Sequence, residues 1–444
     1  MEPAIKITHK QAVVAAVQLP HITDLEFEAS LTELRELAKT LGLKVINTFT
    51  QRRIQFDTTA YLGEGKRQEI SQYVNGETDP DVGRIDFVLV DHDISPSQAR
   101  NLENELNCSV MDRTMVILEI FHRNARSNAA KTQVEIARLG YMAPRLRELA
   151  KLAGPQGRQR SGVGGRGAGE SGTELDRRKI RDRIAELQRD IVAMDEERQV
   201  QKARRQDRRR PASVALVGYT NAGKSTLMRA LTGSGVLVAN KLFATLDTTV
   251  RALHPESVPH VLVSDTVGFI KNLPHGLVAS FKSTLDEALD ASLLLHVIDA
   301  SDPGYVRQIE VTDEVLEQIG AHQIPRIRVF NKIDHVGDLQ AQAHCTEMLR
   351  AQYPDCVVMS AHLPQDISTL HQSIVAFFQK DLITEDFFLS WSQQQWRGEL
   401  YTTCKVLEER SDDAGTFFLV KSDAGTLQKL REQLASNPDD VSST

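Results

Sequence analysis

The chain has 444 residues, more than one ordinary core holds, so two to four domains are expected. It is 41% hydrophobic and 25% charged with a net charge of -7, which excludes collagen-like, mucin-like and extensively disordered classes. Four scattered cysteines, Cys108, Cys345, Cys356 and Cys404, exclude a disulfide framework, and His122, His254, His260 and His296 lack ligand spacing, so no metal site beyond Mg2+ is expected.

The start, Met1-Glu2-Pro3-Ala4-Ile5-Lys6, carries no apolar h-region, and no apolar run approaches the roughly 18 to 20 residues that span a bilayer. No membrane segment and a cytoplasmic location are therefore expected.

From about 12 to 120, apolar strands alternate with helical patterns. Val13–Val17 reads as a strand, 25–41 as an amphipathic helix, 43–46 as a strand and 66–74 as a helix. Phe87–Val90 reads as a buried strand, Ser95 as the cap of a helix through Leu106, and Ser109–Met111 as a short strand. Residues 1–124 are thus a small α/β domain.

Over 125–210 the strand signals stop, leaving two helical stretches around a Gly/Arg-rich loop at 154–172, a helical hairpin. Its second arm places Ile180, Ile184, Leu187, Ile191 and Met194 at spacings of four and three, one stripe facing the first arm. From Ala143 to Arg210 there are 19 lysines and arginines against 11 carboxylates, a local excess of eight positive charges, so the rest of the chain carries about -15. A solvated helix surface laced with i, i+4 pairs accounts equally well for the helical part. The loop differs: Arg158, Arg160 and Arg166, interleaved with glycines, cannot form a core, and a cationic loop at a hairpin tip suits a phosphate backbone. Residues 211–380 read as a second α/β domain, and 381–444 as a small α+β appendage whose end, from Asn437, is expected to be disordered.

The apolar run Val214–Val217 leads directly into Gly218-Tyr219-Thr220-Asn221-Ala222-Gly223-Lys224-Ser225, followed from Thr226 by helix-forming residues. This strand, loop and helix context defines a P-loop. Its glycines let backbone N–H groups turn inward around a β-phosphate, Lys224 neutralises β- and γ-oxygens, and the Ser225 hydroxyl can coordinate Mg2+. The strand Val261–Ser264 ends in Asp265-Thr266-Val267-Gly268, where Asp265 is the carboxylate on the Mg2+ side and the Gly268 N–H reaches the γ-phosphate. The strand Arg326–Phe330 ends in Asn331-Lys332-Ile333-Asp334. An aspartate there accepts from N1–H and the exocyclic amine of guanine, whereas adenine would leave it unpaired at a cost of several kcal/mol. Ser360-Ala361 ends a further strand, where a backbone N–H can meet the guanine carbonyl. Four such elements in order predict GTP and GDP as substrate and product.

With these residues the chain resembles the HflX family of translational GTPases, and the match spans nearly its whole length. The stretch Leu242-Phe243-Ala244-Thr245-Leu246-Asp247 looks like the family's switch I, which makes Thr245 the switch threonine on Mg2+ and adds Phe243 to Asp247 to the nucleotide contacts. Tyr61-Leu62-Gly63-Glu64-Gly65-Lys66, Asp112-Arg113-Thr114, Gln133-Val134-Glu135, Asp176-Arg177-Arg178 and the glycine-arginine loop fall where the family has similar segments. After Gly169-Glu170 the chain reads Ser171-Gly172-Thr173-Glu174-Leu175, where the family usually has Thr-Gln-Leu-Glu-Thr.

The resemblance implies a P-loop GTPase fold, a mostly parallel sheet with helices on both faces, behind a small α/β domain and the hairpin. It implies a GTPase that binds the large ribosomal subunit and its ribosomal RNA, with the hairpin loop reaching towards the peptidyl transferase region, and that dissociates stalled or idle ribosomes under stress. A monomer, with a membrane-associated fraction beside the cytoplasmic one, is expected. Lys224, Thr245 and Gly268 are the expected catalytic groups. Where Ras-type GTPases carry a water-positioning glutamine this chain has Phe269, whose ring cannot orient water, so slow intrinsic hydrolysis stimulated by ribosomes is expected. Asn221 stands where related GTPases help bind K+.

Two other readings stay open: a large-subunit assembly or quality-control switch without splitting activity, and a signalling GTPase with a protein effector, for which the glycine-arginine loop has no use. Gly63-Glu64-Gly65-Lys66 is only a fragment of a phosphate loop, without the following Ser or Thr, and argues against an ATP site in the N-terminal domain.

Overall fold

The structure is a computed structural model describing residues 10–76, 84–152, 172–206, 212–233, 242–243, 249–271, 288–380 and 382–435. The arginines at 158, 160 and 166, the stretch 244–247 and the chain end from 436 lie outside the described residues.

The first sheet has the order β2-β1-β3-β4, all parallel: β1 (Gln11–Gln18), β2 (Lys44–Arg52), β3 (Ile85–Val90) and β4 (Ser109–Asp112). Almost all of β1 is buried, as expected of a central parallel strand covered on both faces. The helices α1 (Asp24–Thr40), α2 (Glu64–Val74), α3 (Pro96–Leu106) and α4 (Arg113–Asn124) connect or follow these strands. Thr23 and Ser95 open α1 and α3 with reciprocal capping boxes to Glu26 and Gln98, so side chains satisfy N–H groups that a helix start leaves over. The alternation does not announce α4, because its first turn begins with Arg113 and Thr114, both buried.

Two long helices follow, α5 (Asn128–Leu152) and α6 (Gly172–Gln206), packed on one another as the hairpin arms. On α6, Leu187 is buried and Ile180, Ile184, Ile191 and Met194 are half-buried. Buried Asp112 holds α5: it accepts from the Tyr141 hydroxyl and from Arg145 Nη2, and caps α4 through Met115 N at 2.9 Å.

The second sheet has the order β10-β9-β8-β5-β7-β6. Its strands are β5 (Ala212–Val217), β6 (Thr249–Ala252), β7 (Val261–Asp265), β8 (Leu293–Asp299), β9 (Arg326–Asn331) and β10 (Val357–Val358). Only the edge strand β6 runs antiparallel. The helices α7 (Lys224–Thr232), α8 (Tyr305–Gln318), α9 (Leu339–Gln352) and α10 (Pro364–Gln379) belong to this unit. Chain order reverses between β8 and β7 on either side of β5, so the loop after β5 opens at the topological switch point, where open α/β sheets bind ligands.

A third, antiparallel sheet, β11-β13-β12, is built from β11 (Ile383–Ser390), β12 (Lys405–Ser411) and β13 (Gly415–Ser422), with α11 (Arg397–Thr403) and α12 (Ala424–Ala435). Periodicity does not mark β11, since Glu385 and Asp386 interrupt its apolar residues.

The first two sheets share a core. Leu31, Val116 and Phe121 of α1 and α4 lie in one buried cluster with Phe243, Val267 and Phe269 of the second unit. At its edge Arg113, 1% exposed, donates to Asp91 Oδ1 at 2.9 Å and to Glu33 Oε2. Burial alone would lower the guanidinium's pKa, but the charges of Glu33 and Asp91 outweigh it and hold the pKa above its ordinary value. Removing one member of a buried ion pair leaves a charge uncompensated, so Arg113→Met should cost about 3–5 kcal/mol of stability. Chemical denaturation of the purified variant measures this, and a loss below about 1 kcal/mol would show that the carboxylates are not held by this cation.

Candidate functional site

Four loops meet at the carboxyl ends of β5, β7, β9 and β10. The first turns at Gly223, whose φ of +96° L side chains rarely adopt and where a Cβ would lie 2.3 Å from Asn331 Nδ2. Lys224, buried at the start of α7, donates from Nζ to Gly218 O at 3.0 Å and Tyr219 O at 2.8 Å. Burial pulls its pKa down to about 8, opposed in part by Asp265. The ammonium lies inside the turn where an anion would relieve that burial, as at other helix N-termini that gather N–H groups.

Asp265, fully buried at the end of β7, accepts from Ser225 Oγ at 2.8 Å. A hydroxyl and a carboxylate at this distance are hard oxygen donors of the kind Mg2+ takes, leaving its other positions to water and phosphate. Among the described residues no group of three or more His, Cys, Asp and Glu is arranged to hold a metal. Thr266 Oγ1 ties the next turn to Leu216 O at 2.6 Å. Phe269 N then donates to Gly218 O at 3.0 Å and Thr220 N to Phe269 O at 2.7 Å, so this segment runs as a short parallel bridge against the P-loop. At Gly268 a Cβ would stand 2.9 Å from Thr220 Cα and 3.0 Å from Lys224 Nζ, leaving no room for any other residue.

Asn331 clamps two loops: its Nδ2 donates to Ala222 O at 3.0 Å and its Oδ1 accepts from Ala361 N at 2.9 Å. Lys332, at a φ of 62°, pairs with Asp299 Oδ2 at 2.7 Å. Ile333 and Asp334 continue in a short 3-10 turn (Ile333–His335), which presents the Asp334 carboxylate at the surface, 3.5 Å from His335 Nε2. Ser360 N donates to Asp366 Oδ2 at 2.8 Å, and Ser360 Oγ accepts from His362 N at 3.2 Å, so the Ser-Ala turn is held rigidly beside Asn331. Asn221, exposed at a φ of 61°, and half-buried Thr226 flank the P-loop turn.

Two residues expected at the nucleotide turn their side chains elsewhere. The Phe243 ring is buried edge-on against Phe121 with centroids 4.5 Å apart, and its carbonyl accepts from Asn124 Nδ2 at 2.9 Å. Tyr219 points its hydroxyl at Glu33 of α1, 2.7 Å away. The expected metal and catalytic residue at 245, with its neighbours 244, 246 and 247, lies outside the described residues. The sequence reading passes over Asp299, although it ends an apolar strand in the same way as Asp265. It also passes over Glu33, which carries no local signal. A cleft of about 600 Å³ between α1 and the P-loop is lined by Glu26, Glu33, Tyr219, Asn221, Asp302 and Arg307 among others.

This fold and site define a P-loop GTPase. Residues 213–332 match the family model described as 50S ribosome-binding GTPase, while 28–122 and 124–205 match the N-terminal and middle regions of GTP-binding GTPases. The chain is 47% identical to the GTPase HflX of Gluconacetobacter diazotrophicus over 96% of its own length and 98% of that protein's. It is 38% identical to the GTPase HflX of Escherichia coli over 92% of each chain. Among solved structures, the GTP-binding protein from Sulfolobus solfataricus in complex with GDP is similar at 24% identity and a TM-score of 0.44, over 82% of this chain and 99% of that one. The chain belongs to the HflX family of GTPases, and it binds and hydrolyses GTP.

Proposed function

We propose that this protein is a ribosome-activated GTPase that binds the large ribosomal subunit and dissociates stalled or idle ribosomes under stress. The observation that carries the reading is that, among the described residues, the position after Gly268 holds a buried phenyl ring and no group that could orient water. Phe269 is 1% exposed and packed in the core, so the position after Gly268 contributes apolar contact and no hydrogen bond from its side chain. Such a site needs a partner to complete it. The matched family model describes its members as 50S ribosome-binding, and the sequence stretch joining α5 to α6, with Arg158, Arg160 and Arg166 among glycines, suits ribosomal RNA.

In this reading the amides of 218–226 wrap the phosphates, with Lys224 against the β- and γ-oxygens. Ser225, Asp265 and Thr245 would hold a Mg2+ ion, which would supply charge neutralisation at the phosphates. The Gly268 N–H faces the γ-phosphate. Asp334 accepts from the guanine N1–H and amine, Asn331 and Lys332 frame the base, and the Ala361 amide is shared between Asn331 and the guanine carbonyl. Thr245, with 244, 246 and 247 beside it, supplies the remaining nucleotide contacts of this reading. Asn221 supports a K+ beside them; turnover in KCl should exceed turnover in NaCl, and equal rates would remove K+ from the site.

No described helix is long and apolar enough to cross a membrane. We place the protein in the cytoplasm with its ribosomes, and nothing in these helices supports a membrane-associated fraction.

GTP turnover measured with and without purified large subunits tests the reading, alongside a variant carrying Arg158→Ala, Arg160→Ala and Arg166→Ala. The expected result is strong stimulation of the native chain, largely lost in the variant, together with a fall in light scattering as intact ribosomes separate. Stimulation without separation would favour an assembly or quality-control switch. No stimulation at all would favour a signalling GTPase with a protein effector.

A further inference from the structure

We propose that Tyr219 is a positioning residue for GTP hydrolysis, whose phenol fastens the segment after Gly268 to α1 of the N-terminal domain. Its hydroxyl stands between two partners. It donates to Glu33 Oε1 at 2.7 Å and accepts from the backbone N of Lys271 at 2.9 Å. The direction is fixed because a backbone N–H can only donate, so the phenol's proton must go to the carboxylate. Burial first and Glu33 second raise the phenol's pKa well above its ordinary value, so the proton stays in place.

The carboxylate is itself fixed. Glu33 Oε2 takes Arg113 Nη2, and Arg113 Nη1 is held by Asp91 Oδ1 at 2.9 Å. Residue 112, next in the chain, grips Tyr141 and Arg145 of α5. Two sets of hydrogen bonds, joined by the peptide bond between Asp112 and Arg113, therefore connect the hairpin arm, the β4–α4 turn and α1 to the segment carrying Gly268.

Among the described residues, three bonds hold the stretch just after Gly268 to the P-loop: Phe269 N to Gly218 O, Thr220 N to Phe269 O, and Lys271 N to the Tyr219 hydroxyl. The third passes through a side chain and can be removed without altering the backbone. A donor aimed at charge developing in the transition state acts through its fixed position, and a misplacement of about 1 Å can cost up to 10²-fold in rate. The inference rests on the assignment of the Gly268 N–H to the γ-phosphate. The phenol points at Glu33, so its loss should spare nucleotide affinity while lowering turnover.

The test uses full-length Tyr219→Phe, Glu33→Gln and the double variant. Single-turnover GTP hydrolysis should slow about 3- to 10-fold in Tyr219→Phe, with GDP affinity within about twofold of native. Glu33→Gln should slow it less, and the double variant no further than Tyr219→Phe alone, because both act through one bond. Hydrogen exchange should rise about tenfold at the Lys271 amide, as for a lost hydrogen bond of about 1.4 kcal/mol, and not throughout the GTPase sheet. Unchanged exchange at Lys271 would overturn the latch itself. Faster exchange with an unchanged rate would overturn the role given to Gly268, and additive slowing in the double variant would overturn the link through Glu33. Should Tyr219→Phe fail to fold, Tyr219→His, which keeps a ring but withdraws the hydroxyl from Lys271 N, carries the same readouts.

Discussion

A guanidinium that keeps its charge out of water has to be answered by carboxylates within hydrogen-bond reach, and the arrangement around Arg113 follows from that requirement. Asp91, at the end of β3, and Glu33, on α1, both turn inward to meet it. Glu33 is thereby held where its other oxygen receives the Tyr219 hydroxyl of the P-loop. The first sheet and the GTPase sheet are thus joined by a charged cluster whose geometry is dictated from both sides, a stricter joint than apolar contact alone supplies.

The apolar part of the same boundary takes in two phenyl rings of the GTPase unit. Phe243 and Phe269 lie in segments expected beside the nucleotide, and both rings are buried in the shared cluster with Phe121. Burying a phenyl ring stabilises by roughly 1.5–3 kcal/mol relative to exposure, so each gives its segment a preferred resting place against the N-terminal domain. The position after Gly268 is consequently used for packing and not for water. That arrangement is what the proposed completion of the site by a ribosomal partner rests on.

The parts of the site that were legible in the sequence are those where backbone geometry restricts residue choice. Gly223 at positive φ, Gly268 pressed against Thr220 and Lys224, and the strand-end motifs 265–268 and 331–334 each announce themselves by local spacing. The strands β1 to β4 and the helices α1 to α3 were legible from apolar alternation and, for α3, from the cap at Ser95, while β5 and α7 were legible from the P-loop between them. Helix α4 and strand β11 were hidden by charged residues at their starts or centres, of which Arg113 meets Asp91 and Glu33, and Glu385 meets Arg431, far away in sequence. The Arg113, Glu33 and Tyr219 contacts join residues 80 and 186 positions apart, and no local pattern encodes such a pairing. For Phe243, resemblance suggested a nucleotide contact, while the fold takes its ring for the core.

The central claim is that the N-terminal domain and the nucleotide site respond as one body because they share a core and a buried charge cluster. Hydrogen exchange across the whole chain, with and without saturating GDP, tests it most directly. The account predicts that GDP slows exchange in α1 and α4 as well as in the P-loop and β7. Protection confined to residues after 212, with α1 and α4 unchanged, would contradict it.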